Sequence, residues 1–410
     1  MIALDEAKRF VLEGLVPLTP VVVALDEALG CVAGEQVLAR EAVPGFVNSS
    51  MDGFALRSSD TSSGSARLSV TDSVYAGDVS SLRLETGQAM RIMTGAPLPE
   101  GADCVCMIEE ATVDGHEVLI SRAIASGEFL RHVGDDTAIG QVLVSPGQEL
   151  NAPGIGVLAG QGFSSVVVHP RPRVGVLSTG NELAASTDPL QPGQIRDLNR
   201  PLLLALLRQS GFTPVDLGVA GDTREEITRT LRDGVEECDA VVSTGGVSVG
   251  DVDYVKTVIA DMGGGDARSM QVAIKPAKPF AFGVIGPRRT PVFGLPGNPV
   301  STRVGFELFV RPALRTLAGH RTTERLMLDA VLDEAIVRPL DGKLHLVHVE
   351  AKMRDDGRVH VEGTMRRGSH LLSAIVGANA IAFVPEGAAS GVGDVVRVMI
   401  LDADGLAPVA

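Results

Sequence analysis

Three observations place this chain among multidomain α/β proteins. Between residues 173 and 319, short and wholly apolar runs alternate with amphipathic helical stretches, the pattern of βαβ units around a parallel sheet. On either side of that region the pattern changes to apolar residues alternating with polar ones, cut by Gly, Ser, Asp and Pro, which reads as β-rich lobes. A chain of 410 residues also exceeds what one hydrophobic core ordinarily serves, so roughly two to four domains are expected.

The elements follow in order. Residues 1–24 are expected to be helical, because Ala3, Leu4, Ala7, Phe10, Val11 and Leu15 share a stripe that Gly14 and Pro17 close. Short apolar runs from Val37 to about Asp136 predict a β-rich lobe. Residues 139–171 carry Gly140, Pro146, Gly147, Pro153 and Gly154 as punctuation, with a helix at 154–161 and a strand at Ser165–Val168. The sheet region then gives strands at 174–177, 215–219, 239–243 and 292–295, and helices at 201–208 and 225–233. Residues 326–402 return to alternation, clearest at 344–349 and 395–400, as expected of a small barrel.

Composition narrows the function. A net charge of −15 argues against nucleic acid or an anionic membrane as partner. It also means that an anionic ligand needs local Lys or Arg, helix N-termini or a bound metal to overcome the overall field. The first residues carry carboxylates where a secretory leader would carry positive charge, and no apolar run approaches the ~18 residues that span a bilayer. The cytoplasm is therefore the expected compartment. Four cysteines, none in CxxC spacing, are expected to be reduced and buried, with Cys104 and Cys106 on one face of a strand.

Ligands of open α/β sheets bind beyond the carboxyl ends of the strands, and the polar motifs of 174–301 fall there. One strand runs into Ser178-Thr179-Gly180-Asn181-Glu182, another into Ser243-Thr244-Gly245-Gly246-Val247-Ser248-Val249-Gly250. Glycine lets backbone N–H groups approach a phosphate closely, and the hydroxyls add donors. In Lys275-Pro276-Ala277-Lys278-Pro279 the prolines predict a polyproline II stretch, whose three-residue turn puts both ammonium groups on one side about 9 Å apart. Such a pair suits an anion clamp. In Pro296-Gly297-Asn298-Pro299-Val300-Ser301, Asn298 suits the N-cap and Pro299 the first position of a long helix, whose N-terminus is itself an anion site. Three carboxylates remain. Asp222 belongs to overlapping capping boxes with Thr223, Glu225 and Glu226, and Asp253 opens a helix, so each reads as a cap or a ligand, whereas Glu182 has less structural reason to be there. Together they could hold Mg²⁺ beside substrate phosphates. The turns around Asp52 and Thr94 read from their residues alone as structural.

Six motifs in order carry a family resemblance: Ser50-Met51-Asp52-Gly53-Phe54-Ala55, Arg91-Ile92-Met93-Thr94-Gly95-Ala96-Pro97, Leu177 to Leu183, Ser243 to Asp251 with Asp253-Tyr254, Ile274 to Pro279, and Gly294 to Ser301. Over nearly its whole length the chain resembles the molybdopterin molybdenumtransferases, the family of bacterial MoeA and the gephyrin E domain. The resemblance implies a three-layer α/β domain of the molybdopterin-binding type at 172–322. It implies an elongated, discontinuous domain at 1–24 and 139–171, a β-rich lobe at 25–138 and a C-terminal β-barrel at 323–410. It implies an enzyme that takes molybdate and adenylylated molybdopterin, uses Mg²⁺ and releases AMP. It implies a homodimer whose active site is shared between subunits, with an adenylyltransferase upstream and molybdoenzymes downstream. By the same resemblance Asp52, Thr94, Glu182, Asp222, Asp253, Lys275 and Lys278 are the functional residues, with Glu182 and Asp253, and then Asp222, as metal ligands. Ser301 and Ser369 match positions near the oxyanion. Ala277 stands where the family usually has Gly. Lys343 and His348 stand where it often has two arginines, which implies a weaker hold on molybdate from the barrel and admits a duplicated member with altered activity.

Overall fold

The computed structural model describes residues 1–184, 189–247, 254–337, 340–363, 376–386 and 391–407. The chain forms two compact units. One is built from Met1–Gly34, Pro146–Asn151 and Ser165–Ala410, the other from Glu35–Ser145 and Ala152–Ser164.

The larger unit centres on a six-stranded sheet. In chain order its elements are β1 (Arg173–Thr179), α1 (Asn199–Gln209), β2 (Thr213–Ala220), α2 (Arg224–Glu237), β3 (Ala240–Thr244), α3 (Tyr254–Gly263), β4 (Ala267–Gln271), β5 (Pro279–Ile285), β6 (Thr290–Leu295) and α4 (Pro299–Gly305). The spatial order is β2-β1-β3-β6-β5-β4. β2, β1, β3 and β6 run parallel, while β5 and β4 are antiparallel to their neighbours. Every residue of β3 and β6 is buried, as strands covered on both faces require. The two-residue period divides β1 between two cores. Val174 and Val176 pack with Leu203 and Leu207 of α1, and Leu177 packs with Ile227 and Leu231 of α2 and Val255 of α3. Helices on both faces make three layers.

α4 continues through a π turn at Phe306–Val310 into the helix Arg311–Leu317. In the π turn Glu307, with a side chain 0% exposed, meets Arg325 at 2.8 Å and Arg303 at 3.4 Å. The chain then closes a five-stranded barrel from β7 (Met327–Leu332), β8 (Leu344–Met353), β9 (Val359–Gly363), β10 (Ala380–Val384) and β11 (Val395–Ile400). The ring runs β8-β9-β7-β11-β10 and returns through the β8–β10 pairing, so its core of Val349, Val361, Ala382 and Val398 is enclosed. A two-residue strand, Ile274–Lys275, joins this barrel by pairing in parallel with Leu344 and His345 of β8.

The N-terminal helix is shorter than the periodicity predicts. It spans Leu4–Leu12 and buries Ala7 and Val11, and Gly14 then turns with φ 75°. Val21–Ala24 is a strand, paired with Ser165–Val168. The apolar stripe runs on past the helix because Val21–Val23 are β-branched residues that follow two prolines, which suits a strand.

The smaller unit carries a second six-stranded sheet, in the spatial order Cys104–Met107, Gly53–Leu56, Gln88–Ile92, Ala66–Val74, Glu117–Ile120 and Ala111–Asp114. All four cysteines are free and buried, and burial pushes the Cys106 thiol up to about 11. No helix among the described residues is long and apolar enough to cross a membrane.

Candidate active site

The carboxyl ends of β1, β3 and β6 lie side by side, and a small set of buried polar groups binds their loops together. Asn199, at the start of α1, donates from Nδ2 to Thr244 Oγ1 at 2.9 Å and to the carbonyl of Gly297 at 2.7 Å. The hydroxyls of Thr302 and Thr244 donate to the carbonyl of Pro296 at 2.6 and 3.2 Å. Gly245 N–H donates to Leu295 O at 3.0 Å. Gly245 sits at φ 97°, and a Cβ there would lie 2.7 Å from the carbonyl oxygen of Thr179, so the contact between the first two loops requires glycine. Gly246 follows with φ 64°. Gly297 and Asn298 are exposed at this edge; Asn298 holds the N-cap position without a side-chain cap bond, and Pro299 is the first helical residue.

Several residues expected at a ligand serve the scaffold here. Ser178 is 0% exposed, and its hydroxyl donates to Asp197 at 3.0 Å. Thr179 and Ser301 are also buried. The network missed from sequence is Asp197 and Asn199. Asp197 takes Ser178 and also Arg200, at 2.9 Å, and the only sequence signal was a polar pair at the start of a Leu-rich helix.

The β1 and β2 loops are laced together by a reciprocal pair: Asn181 N–H donates to Asp222 Oδ2 at 3.0 Å and Asp222 N–H to Asn181 Oδ1 at 3.1 Å. Capping of α2 falls to Thr223, whose hydroxyl accepts from Glu226 N–H at 3.3 Å, which leaves Asp222 free of that task. The Glu182 carboxylate folds back over Gly180, where an added Cβ would meet it at 2.5 Å. Among the described residues it has no hydrogen-bonding or charged partner. Two carboxylates on adjoining loops, each with an unused oxygen, are donors of the kind Mg²⁺ takes alongside phosphate. No cluster of three His, Cys, Asp or Glu side chains suited to a metal occurs among the described residues. Asp253, Ser248 and Ser369 lie outside them.

The lysine turn departs from its expected conformation. Ala277 has φ 69°, the Lys275–Pro276 bond is cis, and Val272 N–H donates to Lys278 O at 2.8 Å. The segment is a closed turn, not polyproline II, so the three-residue helical repeat does not set the spacing of the two lysines. A left-handed residue at 277 is the conformation glycine adopts most readily, and Ala277 instead buries its methyl in the main core. Both lysines are exposed, and neither forms an ion pair among the described residues. The register Ala281↔Gly294 sets the start of β5 beside the carboxyl end of β6. Lys278 therefore stands at the same sheet edge as the 296–298 loop.

In the smaller unit two distant motifs meet. Asp52 Oδ1 accepts from the N–H of Thr94 at 2.7 Å and from its hydroxyl at 2.8 Å, and these bonds hold the Asp52 carboxyl below its ordinary value. Thr94→Val is expected to raise that pKa toward the ordinary range by removing the hydroxyl, while the larger backbone contribution persists. A carboxyl-detected NMR titration reads the direction, and no rise would mean that the hydroxyl bond is not made.

The barrel positions at 343 and 348 do not replace arginine. His348 is 6% exposed; burial, with Arg303 nearby, pushes it down to about 3, so it is neutral at physiological pH. Lys343 is 3.0 Å from Asp341, which also holds the buried His345 at 2.9 Å. The ammonium is thus paired and the imidazole withdrawn.

Known proteins match this arrangement along its length. The MoeA N-terminal region (domain I and II) matches residues 2–162, a probable molybdopterin binding domain residues 175–316, and the MoeA C-terminal region (domain IV) residues 336–401. The chain is 35% identical over 382 residues to the molybdopterin molybdenumtransferase of Haemophilus influenzae, covering 92% of this chain and 93% of that one. The chain belongs to the MoeA family. A second relative, molybdopterin molybdenumtransferase 2 of Mycobacterium tuberculosis, is also 35% identical, over 94% of this chain and 96% of its own. The crystal structure of the MoeA protein of molybdopterin biosynthesis from Pyrococcus horikoshii OT3 superposes with a TM-score of 0.81 at 27% identity, covering 98% of this chain and 100% of that one.

Proposed function

We propose that this MoeA-family chain is a molybdopterin molybdenumtransferase, which takes molybdate and adenylylated molybdopterin and releases AMP and molybdenum cofactor. Family membership supports the place in cofactor biosynthesis. The observation that carries the site is the convergence, at one sheet edge, of two glycine loops, the exposed 297–298 turn and Lys278, in a chain of net charge −15. The N–H of Gly246 and the glycine-rich loop that follows would receive phosphate oxygens, and Lys275 and Lys278 would neutralise phosphoanhydride and molybdate. Glu182 and Asp222, with Asp253, would hold Mg²⁺, which when bound supplies positive charge to the phosphoanhydride. Ser178 and Thr179 keep the loops in place through their hydroxyl bonds to Asp197 and to the carbonyl of Thr244. Asp52 and Thr94 would enter a site shared between the subunits of a cytoplasmic homodimer, placed between an adenylyltransferase and the molybdoenzymes that accept the product.

A second reading has one observation in its favour. With His348 neutral and Lys343 paired, the barrel offers no arginine fork to an oxyanion at those positions, as in a duplicated member that binds molybdopterin without inserting metal. Incubation of the full chain with adenylylated molybdopterin separates the two. AMP formation that depends on molybdate and stops with a Mg²⁺ chelator is the expected result. Substrate binding without AMP would establish the second reading.

A further inference from the structure

The larger unit contains a cavity of about 470 Å³ on the side of the sheet away from the glycine loops. Its walls include Pro172, which precedes β1, and Phe212, which precedes β2, so it lies at the amino ends of the parallel strands. The helix Arg311–Leu317 and the chain after β11 complete it. Four arginines line it, at 171, 311, 315 and 325.

The four arginines are set against Glu307, Glu149, Asp402 and Asp404, and of these carboxylates only Glu307 is buried. Arg325 is matched by the buried Glu307 at 2.8 Å. Arg315 reaches only the half-exposed Glu149, at 3.7 Å, and its other bonds go to the carbonyl of Thr322 and to His320. Arg171 gives a hydrogen bond to the carbonyl of Leu29. Arg311 gives one to the carbonyl of Thr323 at 3.1 Å; it makes no direct ion pair among the described residues, and Glu307 and Glu324 favour its charge from a distance. Burial first, then Arg325, pushes Arg311 down to about 10. His320 adds no charge, since burial and the neighbouring arginines push it down to about 4. Asp402 and Asp404 also line the cavity, but both are exposed.

A half-buried guanidinium that makes no direct ion pair with a carboxylate among the described residues, beside two others that make few, is open to an anion from outside. We propose that this cavity is an anion site that takes a small multivalent oxyanion of the phosphate type between Arg311, Arg315 and Arg171. The guanidinium fork matches the paired oxygens of a phosphate. A single charge would not offset three cations, and the exposed carboxylates at the rim disfavour long anionic chains. The volume admits free phosphate and also a phosphate carried on a nucleotide.

The test uses the full chain carrying Lys275→Ala and Lys278→Ala, so that the other sheet edge is silenced. Calorimetric titration with inorganic phosphate, in buffer free of phosphate and sulfate, is expected to show one site per chain. Adding Arg311→Gln should weaken it roughly 10- to 100-fold, the size of a charge-assisted hydrogen-bond set. AMP that binds with the same dependence on Arg311 identifies the carried phosphate, and phosphate binding without AMP binding identifies the free ion. Arg171→Gln, an exposed position, provides a second variant in case Arg311→Gln does not fold. Absence of phosphate binding, or binding unchanged in both variants, overturns the proposal and leaves the proposed insertase reaction untouched.

Discussion

Replacing both lysines of the 275–278 turn by alanine is expected to slow single-turnover AMP release by roughly 10²- to 10⁴-fold, the range seen when preorganised electrostatic groups are removed from a reacting anion. The reasoning is a balance of charge. A chain of net charge −15 repels molybdate and the phosphoanhydride alike. Among the described residues neither Lys275 nor Lys278 spends its ammonium on a carboxylate, and both are exposed. Backbone N–H groups carry only partial charge, and that of Gly245 is already given to Leu295 O. Lys278 at this edge and Lys275 in the same turn are therefore unspent full charges among the described residues. Each single replacement should cost less than half of the double effect on a logarithmic scale if one ammonium can partly cover for the other. Unchanged release from the double variant would remove the electrostatic role.

Glu307→Gln is expected to destabilise the larger unit by about 3 kcal/mol, the order of loss found when one partner of a buried ion pair is removed. Glu307 is fully buried and faces Arg303 and Arg325, whose side chains are 16% and 17% exposed. Desolvation already disfavours charge on Arg303. Glutamine keeps the shape and one acceptor, but it leaves two cations close together in a poorly hydrated place. Urea unfolding followed by a probe in the larger unit measures the effect. A loss below about 0.5 kcal/mol, the scale of an ordinary surface substitution, would show that the triad is better solvated than its burial indicates.

The sheet domain was legible in the sequence because its signal is strong. Strands covered on both faces read as continuous apolar runs, as at 174–177 and 292–295, and their carboxyl ends announced the glycine loops. Resemblance, not physics, singled out Asp52 and Thr94, since a turn built on Asp-Gly looks the same with or without a function. The lysine turn departs from the proline rule because that rule holds only while the intervening residue stays extended, and Ala277 does not. The N-terminal helix ends before its apolar stripe does for a related reason: the stripe continues through a strand when β-branched residues follow. Asn199 and Asp197 were invisible because their partners lie as far away as Gly297 in sequence. The arginine cavity was hidden in the same way, its side chains coming from 171, 311, 315 and 325. His348 looked available at its sequence position and proved buried, which no local pattern reports.

Ile274 and Lys275 pair with Leu344 and His345 of the barrel strand β8, while Pro279, four residues after Lys275, begins a strand of the central sheet. One short peptide is thus stitched into two separate ladders. A tilt of the barrel against the sheet must drag one anchor of the turn while the other stays put, so the aim of the two ammonium groups is tied to the barrel's attitude. Swapping barrels between relatives would consequently alter charge placement at this sheet edge even if every side chain of the edge were kept.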